Sequence, residues 1–322
     1  MEPYLIVILS LIGLLIIVFL IQLYRIYRIT FKNKQKPLID DYYYLEHHYY
    51  DSYREFITQG IEDIRKLKYQ ELWLRSHNNY KLYGRYYHYY DNAPVIIFAH
   101  GFRSTGIRDF VVAIPTMIKE GYNILVIDQR GHGKSDGNKL CFGELERFDI
   151  LEWTEKIIEL EGKDVKIFYF GLSMGAGSVL MAESLDLPNN VCGIIADSAY
   201  STPIETIREV AQYQLHVHKV IAGWMVYLSA FLFAHFNLNK TDCLRSIKGK
   251  NIPILLIQGD KDRLVPMWMC EEVVEAGGPM VQLEVFKETG HMLSSLKETE
   301  RYQKLIIDFC KKWSDKDETQ SK

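Results

Sequence analysis

Residues 166–180, KIFYFGLSMGAGSVL, pass from β-rich residues through Gly171-Leu172-Ser173-Met174-Gly175 into small, helix-compatible ones. A serine at the tip of a strand-to-helix turn has its hydroxyl pushed clear of the backbone. The strain of such a turn demands small residues two before and two after it. Ser173 is therefore a candidate nucleophile; the plainer alternative is a glycine turn that only joins two elements. A serine hydroxyl is a weak nucleophile at neutral pH and needs a base, usually a histidine oriented by a buried carboxylate. It also needs amide donors for the oxyanion that forms. The amide of Met174, at the start of a helix, supplies one.

The elements that must position these groups alternate from about residue 70 onward. Strands are expected at 71–76, 82–87, 94–99, 123–128, 165–170, 191–196, 254–258 and 281–286. Helices are expected at 110–120, 143–161, 174–184, 267–276 and 299–313. The first two strands are close enough for a hairpin. Later runs such as VIIFA, ILVID and ILLIQ are continuously apolar, as in parallel strands covered on both faces. The pattern predicts an α/β fold: a twisted, mostly parallel sheet of about eight strands with helices on both faces. Chemistry in such sheets gathers at the carboxyl ends of the strands.

Those ends carry FAHGFRST, IDQRGHGKSDG, GLSMG, QGDKDRLVP and ETGHMLS, in that order. Together they resemble the α/β-hydrolase superfamily over about residues 70–315, and within it the membrane-anchored Bem46-like and bacterial serine hydrolases with a serine aminopeptidase S33-like domain. The resemblance implies a Ser, Asp, His chain order. After Asp262 the sequence contains one histidine, His291, in a loop between the last strand and the last helix, where the base belongs. Asp262 matches the acid position of the GDKDRLVP loop. Asp260 shapes that turn, and Asp197, at the end of the sixth strand, is the second candidate for the acid. By resemblance, Phe102 supplies the second oxyanion amide. His100 reads as a structural residue holding that loop, in preference to a second base. His132 precedes the nucleophile and so falls outside the order. Lys134-Ser135 lacks the glycine spacing of a phosphate-binding loop.

The 322 residues are 48% hydrophobic with a formal net charge of −3, which gives no reason to expect a nucleic-acid partner. The five cysteines, Cys141, Cys192, Cys243, Cys270 and Cys310, are scattered and without a CxxC pair. They read as free thiols in a reducing compartment, with no metal site or disulfide framework. Leu5 to Ile21 carry no charge, and Gln22-Leu23-Tyr24 extend the run to a bilayer's width. No basic start or small-residue cleavage site accompanies it, so residues 1–24 are expected to be a retained transmembrane anchor rather than a processed signal. Arg25, Arg28, Lys32, Lys34 and Lys36 follow, which predicts a single-pass membrane protein with its catalytic domain in the cytoplasm.

Residues 25–69 read as a basic, then tyrosine-rich connector holding a solvated or membrane-proximal amphipathic helix. His47-His48 beside Asp41 and Asp51 lack a third spaced ligand and are not read as a metal site. Residues 70–315 form the hydrolase domain and 316–322 a polar tail. About fifty residues, 199–250, separate the sixth and seventh strands, too many for a simple connection. Their apolar stretch 220–234 reads as a lid helix over the active site that can touch the bilayer. His216 and His218 before it are polar-face residues. An apolar lid on a tethered protein favours apolar or lipid-like acyl esters, with no cofactor or metal. A peptidase or amidase is the alternative, which an acidic lid residue such as Glu205 or Glu209 would favour if placed to hold an amine. A non-catalytic binding protein on the same fold is the third.

Overall fold

The computed structural model describes residues 3–33, 36, 40–43, 45, 47–240 and 242–314. Lys34 of the basic run and the polar tail 316–322 lie outside the described residues. Eight strands form one sheet: β1 (Gln70–Arg75), β2 (Lys81–Tyr87), β3 (Val95–Ala99), β4 (Asn123–Asp128), β5 (Ile167–Leu172), β6 (Val191–Asp197), β7 (Ile254–Gly259) and β8 (Val281–Phe286). Their order is β1-β2-β4-β3-β5-β6-β7-β8. The first two strands form the antiparallel hairpin, β2 pairs antiparallel with β4, and every later pairing is parallel. Between β3 and β5 the strand order reverses direction, and such a reversal opens a crevice at the carboxyl ends.

The helices are α1 (Pro3–Thr30), α2 (Arg54–Arg65), α3 (Gly106–Asp109), α4 (Ala113–Lys119), α5 (Glu146–Glu161) and α6 (Met174–Ala182), then α7 (Pro203–Leu215), α8 (Lys219–Ser229), α9 (Cys243–Ile247), α10 (Met267–Gly277), α11 (Ser294–Lys297) and α12 (Thr299–Ser314). Side chains alternate across a strand. Val95, Ile97 and Ala99 of β3 accordingly join the core under α5, α6, α9 and α10, while Ile96 and Phe98 join the core under α2, α4 and α12. All residues of β3, β5 and β7 are buried. That is the physical basis of their continuous apolar runs.

Three segments depart from the sequence-based expectations. The expected helix 110–120 is the shorter α4, Ala113–Lys119, and a separate helical turn that was not expected, α3, capped by Thr105, precedes it. The connector is not simply solvated: Ile57, Ile61 and Ile64 of α2 are buried in the same core as α12. The expected lid helix is α8 followed by a π-helical turn, Ala230–Ala234, that ends at His235 in a left-handed conformation (φ 64°).

Among the described residues one helix, α1, is long and apolar enough to cross a membrane, and none of its most apolar 18-residue window is buried. Its last turns behave differently. Leu23 and Tyr27 are buried, Tyr24 and Tyr27 pack on Phe233 at 5.4 and 6.1 Å, and Ser229 donates to the Leu23 carbonyl at 2.9 Å.

Candidate active site

Ser173 is the N-cap of α6 and sits at φ 54°, ψ −113°. That is unfavourable ground for a residue with a Cβ and typically costs about 1–3 kcal/mol. Its amide donates to the Asp197 carbonyl at 2.8 Å, which ties the turn to β6. The flanking glycines are steric necessities. A Cβ on Gly175 would stand 1.9 Å from the Ala99 oxygen, and one on Gly171 would stand 2.3 Å from the Gly175 oxygen. The turn therefore needs both positions bare for α6 to lie against the ends of β3 and β5.

The Ser173 hydroxyl is 2.9 Å from Nε2 of His291, and Nδ1 of His291 is 2.6 Å from Oδ2 of Asp262. Three loops, after β5, β7 and β8, thus converge on one line of hydrogen bonds. Asp262 is fixed by amides: Oδ1 accepts from Leu264 and Val265 at 2.9 and 2.8 Å, and Oδ2 accepts from Nε2 of Gln258 at 3.2 Å. Burial disfavours the charged form of His291. The Asp262 carboxylate outweighs it by its charge and hydrogen bond, with lesser help from Asp197 and Asp109, and the His291 pKa is raised.

Asp197 lies elsewhere in the network. Its carboxylate accepts from the Tyr302 hydroxyl at 2.9 Å and the Ser198 hydroxyl at 3.0 Å, and burial pushes its pKa up to about 6. Asp260 accepts from the Thr289 amide at 3.4 Å, bracing the two loops that carry Asp262 and His291. His100 donates from Nδ1 to the Gly101 carbonyl at 2.9 Å, and its Nε2 accepts from the Gln129 amide at 3.2 Å. His132 similarly spans the Arg130 carbonyl and the Arg103 amide, both at 3.2 Å. Both rings are occupied with backbone.

Phe102 follows Gly101 in the loop after β3, and a Cβ on Gly101 would stand 3.5 Å from the Leu172 carbonyl, next to the Ser173 turn. Gly101 donates to Asp109 at 2.7 Å and Arg103 donates to His132, so the amides on either side of Phe102 are both committed. Met174 begins α6, where the first amides have no intrahelical partner. His216 and His218 are the C-cap of α7 and the N-cap of α8. No cluster of metal-ligating side chains occurs among the described residues.

Three contributors were not singled out from the sequence. Gln258 donates to Asp262, Asp109 holds Gly101, and Tyr49, in the tyrosine-rich segment, donates to the His291 carbonyl at 2.8 Å. Gln258 adjoins the GDKD motif, and that adjacency was a usable signal. Tyr49 lies 242 positions from His291 and offered none.

Comparison with known proteins agrees with this architecture. Residues 91–232 match the family profile described as serine aminopeptidase, S33. The esterase Pf2001 of Pyrococcus furiosus is 25% identical with a TM-score of 0.61, over 78% of this chain and 95% of that one. The esterase EaEST from Exiguobacterium antarcticum superposes with a TM-score of 0.56 at 20% identity, over 75% of this chain and 100% of that one. The uncharacterized protein YqkD of Bacillus subtilis is 22% identical over 262 residues, 80% of this chain and 84% of its own length. The chain has the α/β-hydrolase fold, and the profile and structures it resembles are hydrolases of that fold.

Proposed function

We propose that this protein is a membrane-anchored serine hydrolase that cleaves acyl esters of apolar or lipid-like substrates. The observation that carries the reading is the continuous relay from Ser173 through His291 to Asp262. The Ser173 hydroxyl attacks the ester carbonyl while Nε2 of His291 takes its proton, and Asp262 holds the ring and stabilises the imidazolium. The amides of Met174 and Phe102 receive the oxyanion. As that intermediate collapses, His291 returns the proton to the departing alcohol and leaves an acyl-Ser173. Water, deprotonated by His291, then attacks the acyl group; the carboxylic acid departs and Ser173 regains its proton.

Three further features support the substrate class and the setting. The apolar insertion 199–250 contributes Ile207 and Val226 to a cluster that includes Phe102, so a lid of apolar character adjoins the reacting centre. The esterase titles of two structural neighbours point the same way. α1 has the length and apolarity of a membrane span, and Arg25 and Arg28 at its end favour a cytoplasmic catalytic domain.

The matched profile, described as an aminopeptidase, keeps an amide-cleaving reading in view. The acidic lid residues argue against it. Glu205 is paired with Arg208 and Glu209 with Lys219, so neither carboxylate is held ready for a substrate amine.

The test is labelling of the full-length protein by a fluorophosphonate, beside Ser173→Ala and His291→Ala. Loss in both folded variants, with turnover of acyl esters well above that of aminoacyl anilides, is expected. Labelling that survives Ser173→Ala would refute the assignment.

A further inference from the structure

Arg103 directly follows the proposed oxyanion donor Phe102, and its side chain does not point into the crevice. Nη2 of its guanidinium donates to the carbonyls of Ile29 and Lys32, at 2.6 and 3.1 Å. The Ile29 carbonyl belongs to the last turn of α1, where a helix has acceptors without intrahelical partners and the negative end of its dipole, and the Lys32 carbonyl lies two residues past the helix end. A guanidinium is the side chain best suited to that end, because it is always charged and presents several donors in a plane.

The backbone of Arg103 pays for this placement: its φ of 49° lies in the left-handed region. Such a conformation persists where the surroundings over-determine it. Here they do, through the Arg103 amide on His132, the guanidinium on α1, and the stacking of that guanidinium 4.6 Å from the Phe102 ring. The Phe102 ring in turn lies 5.5 Å from Phe142, and Phe142 lies 5.9 Å from Phe31 just beyond α1. The chain leaving α1 is also fastened to the neighbouring glycine-rich turn. Asn33 donates to the Gly131 carbonyl at 3.0 Å, and residues 32 and 139 form an antiparallel bridge.

From this juxtaposition we infer that Arg103 is a positioning residue that locks the oxyanion loop onto the end of the membrane helix, making α1 a structural part of the catalytic site as well as an anchor. The direction of the Phe102 amide is set by its two neighbours. Gly101 is held by Asp109 within the domain, and Arg103 is held by the membrane helix. Releasing the second hold lets the amide swing away from the oxyanion, which penalises the transition state and leaves ground-state binding nearly unchanged.

This inference rests on the hydrolase reading, and the experiment separates the two. The full-length protein in liposomes is assayed with a short-chain soluble ester and a fluorophosphonate, as wild type, Arg103→Ala, Arg103→Lys and Arg25→Ala. Complete loss of an oxyanion donor costs about 10²–10³ in kcat. Partial misalignment in Arg103→Ala is expected to lower kcat about 10–30-fold with KM within about twofold. Arg103→Lys retains one donor and should fall between, while Arg25→Ala, exposed on α1, should match wild type. Asn33→Ala keeps Arg103 and loosens the same junction, with an expected fall of about threefold in kcat. A folded Arg103→Ala with wild-type kcat, or with its whole loss in KM, overturns the inference. If Arg103→Ala fails to fold, wild-type kcat in Asn33→Ala overturns it. A wild-type protein whose Ser173 is not labelled sinks the hydrolase reading itself.

Discussion

Two carboxylates compete for the acid role, and their hydrogen bonds divide them. Asp262 touches Nδ1 of His291, whereas Asp197 is committed to Tyr302 and Ser198. Asp262→Asn should therefore lower kcat by about 10³–10⁴, through loss of the correct tautomer. Asp197→Asn should leave kcat within about tenfold, since its carboxylate bonds Tyr302 and Ser198 and is a lesser influence than Asp262 on His291. Steady-state kinetics on the two folded variants checks this; equal losses would move the acid role toward Asp197. The raised pKa of His291 has its own signature. The base must be neutral to accept a proton, so kcat/KM should fall as pH drops through a midpoint above the ordinary histidine value of about 6.5. An acid limb centred well below that value would contradict the Asp262 contact. Glu183 gives a stability counterpart. Burial at the end of α6 pushes its pKa up to about 8, against the smaller opposing effects of Lys250 and the Ile252 backbone. Its folded pKa exceeds the unfolded one, so its contribution is full below about pH 4.5 and is lost as pH rises through 8. Glu183→Gln should raise Tm at pH 8.5 by at least about 3 °C, and by less at pH 5, in paired thermal melts.

At the scale of elements, the turn between β5 and α6 is the least forgiving junction. Gly175→Ala places a methyl group against the carbonyls of Ala99 and His100 and must push α6 away from β3. Fluorophosphonate labelling should be abolished and Tm lowered by several degrees; a variant with wild-type labelling would show that the turn has slack. This junction was readable in the sequence because glycine at fixed spacing reports a steric demand. The central strands were readable because burial on both faces leaves no polar position. Their ends were not. β5 was expected to stop at Phe170, yet Gly171 and Leu172 continue the ladder opposite Ala196 and Asp197, so the strand runs into the motif. The packing of α2 was partly legible, in three isoleucines spaced by four and three residues, but surrounding tyrosines and charges masked that stripe. Arg103 was illegible for a different reason. Its partners lie more than seventy positions earlier, at the end of a helix the sequence identifies only as apolar.

For the whole molecule, the docking of α1 makes its junction with the α/β domain a packed interface. Tyr27 and Phe31 share a buried cluster with Phe142, Phe236 and the insertion between β6 and β7. Removing residues 1–36 is expected to expose that cluster and give an aggregation-prone, less active domain, which gel filtration and kcat on a soluble ester will register. The same docking sets the apolar surface of the insertion beside the apolar face of α1. Val220, Ile221, Trp224, Phe231 and Leu232 are all exposed, with Trp224 at 64%, and a groove of about 490 Å³ lies between Leu232, Phe233 and the α1 residues Ile17, Leu20, Ile21 and Tyr24. An apolar surface of this kind is costly in water and is accounted for if it rests in the membrane interface, where aromatic side chains are favoured. Trp224 reports on this directly. In liposomes its emission, taken as the difference between wild type and Trp224→Phe, should be shielded from iodide and quenched by brominated acyl chains. Trp224→Ser should then leave turnover of a soluble short-chain ester intact and lower turnover of esters embedded in vesicles about five- to tenfold, in line with the few kcal/mol at most that one indole contributes to interfacial binding. If iodide quenches Trp224 freely and both substrates respond alike, the insertion faces water and substrate reaches Ser173 from the aqueous side.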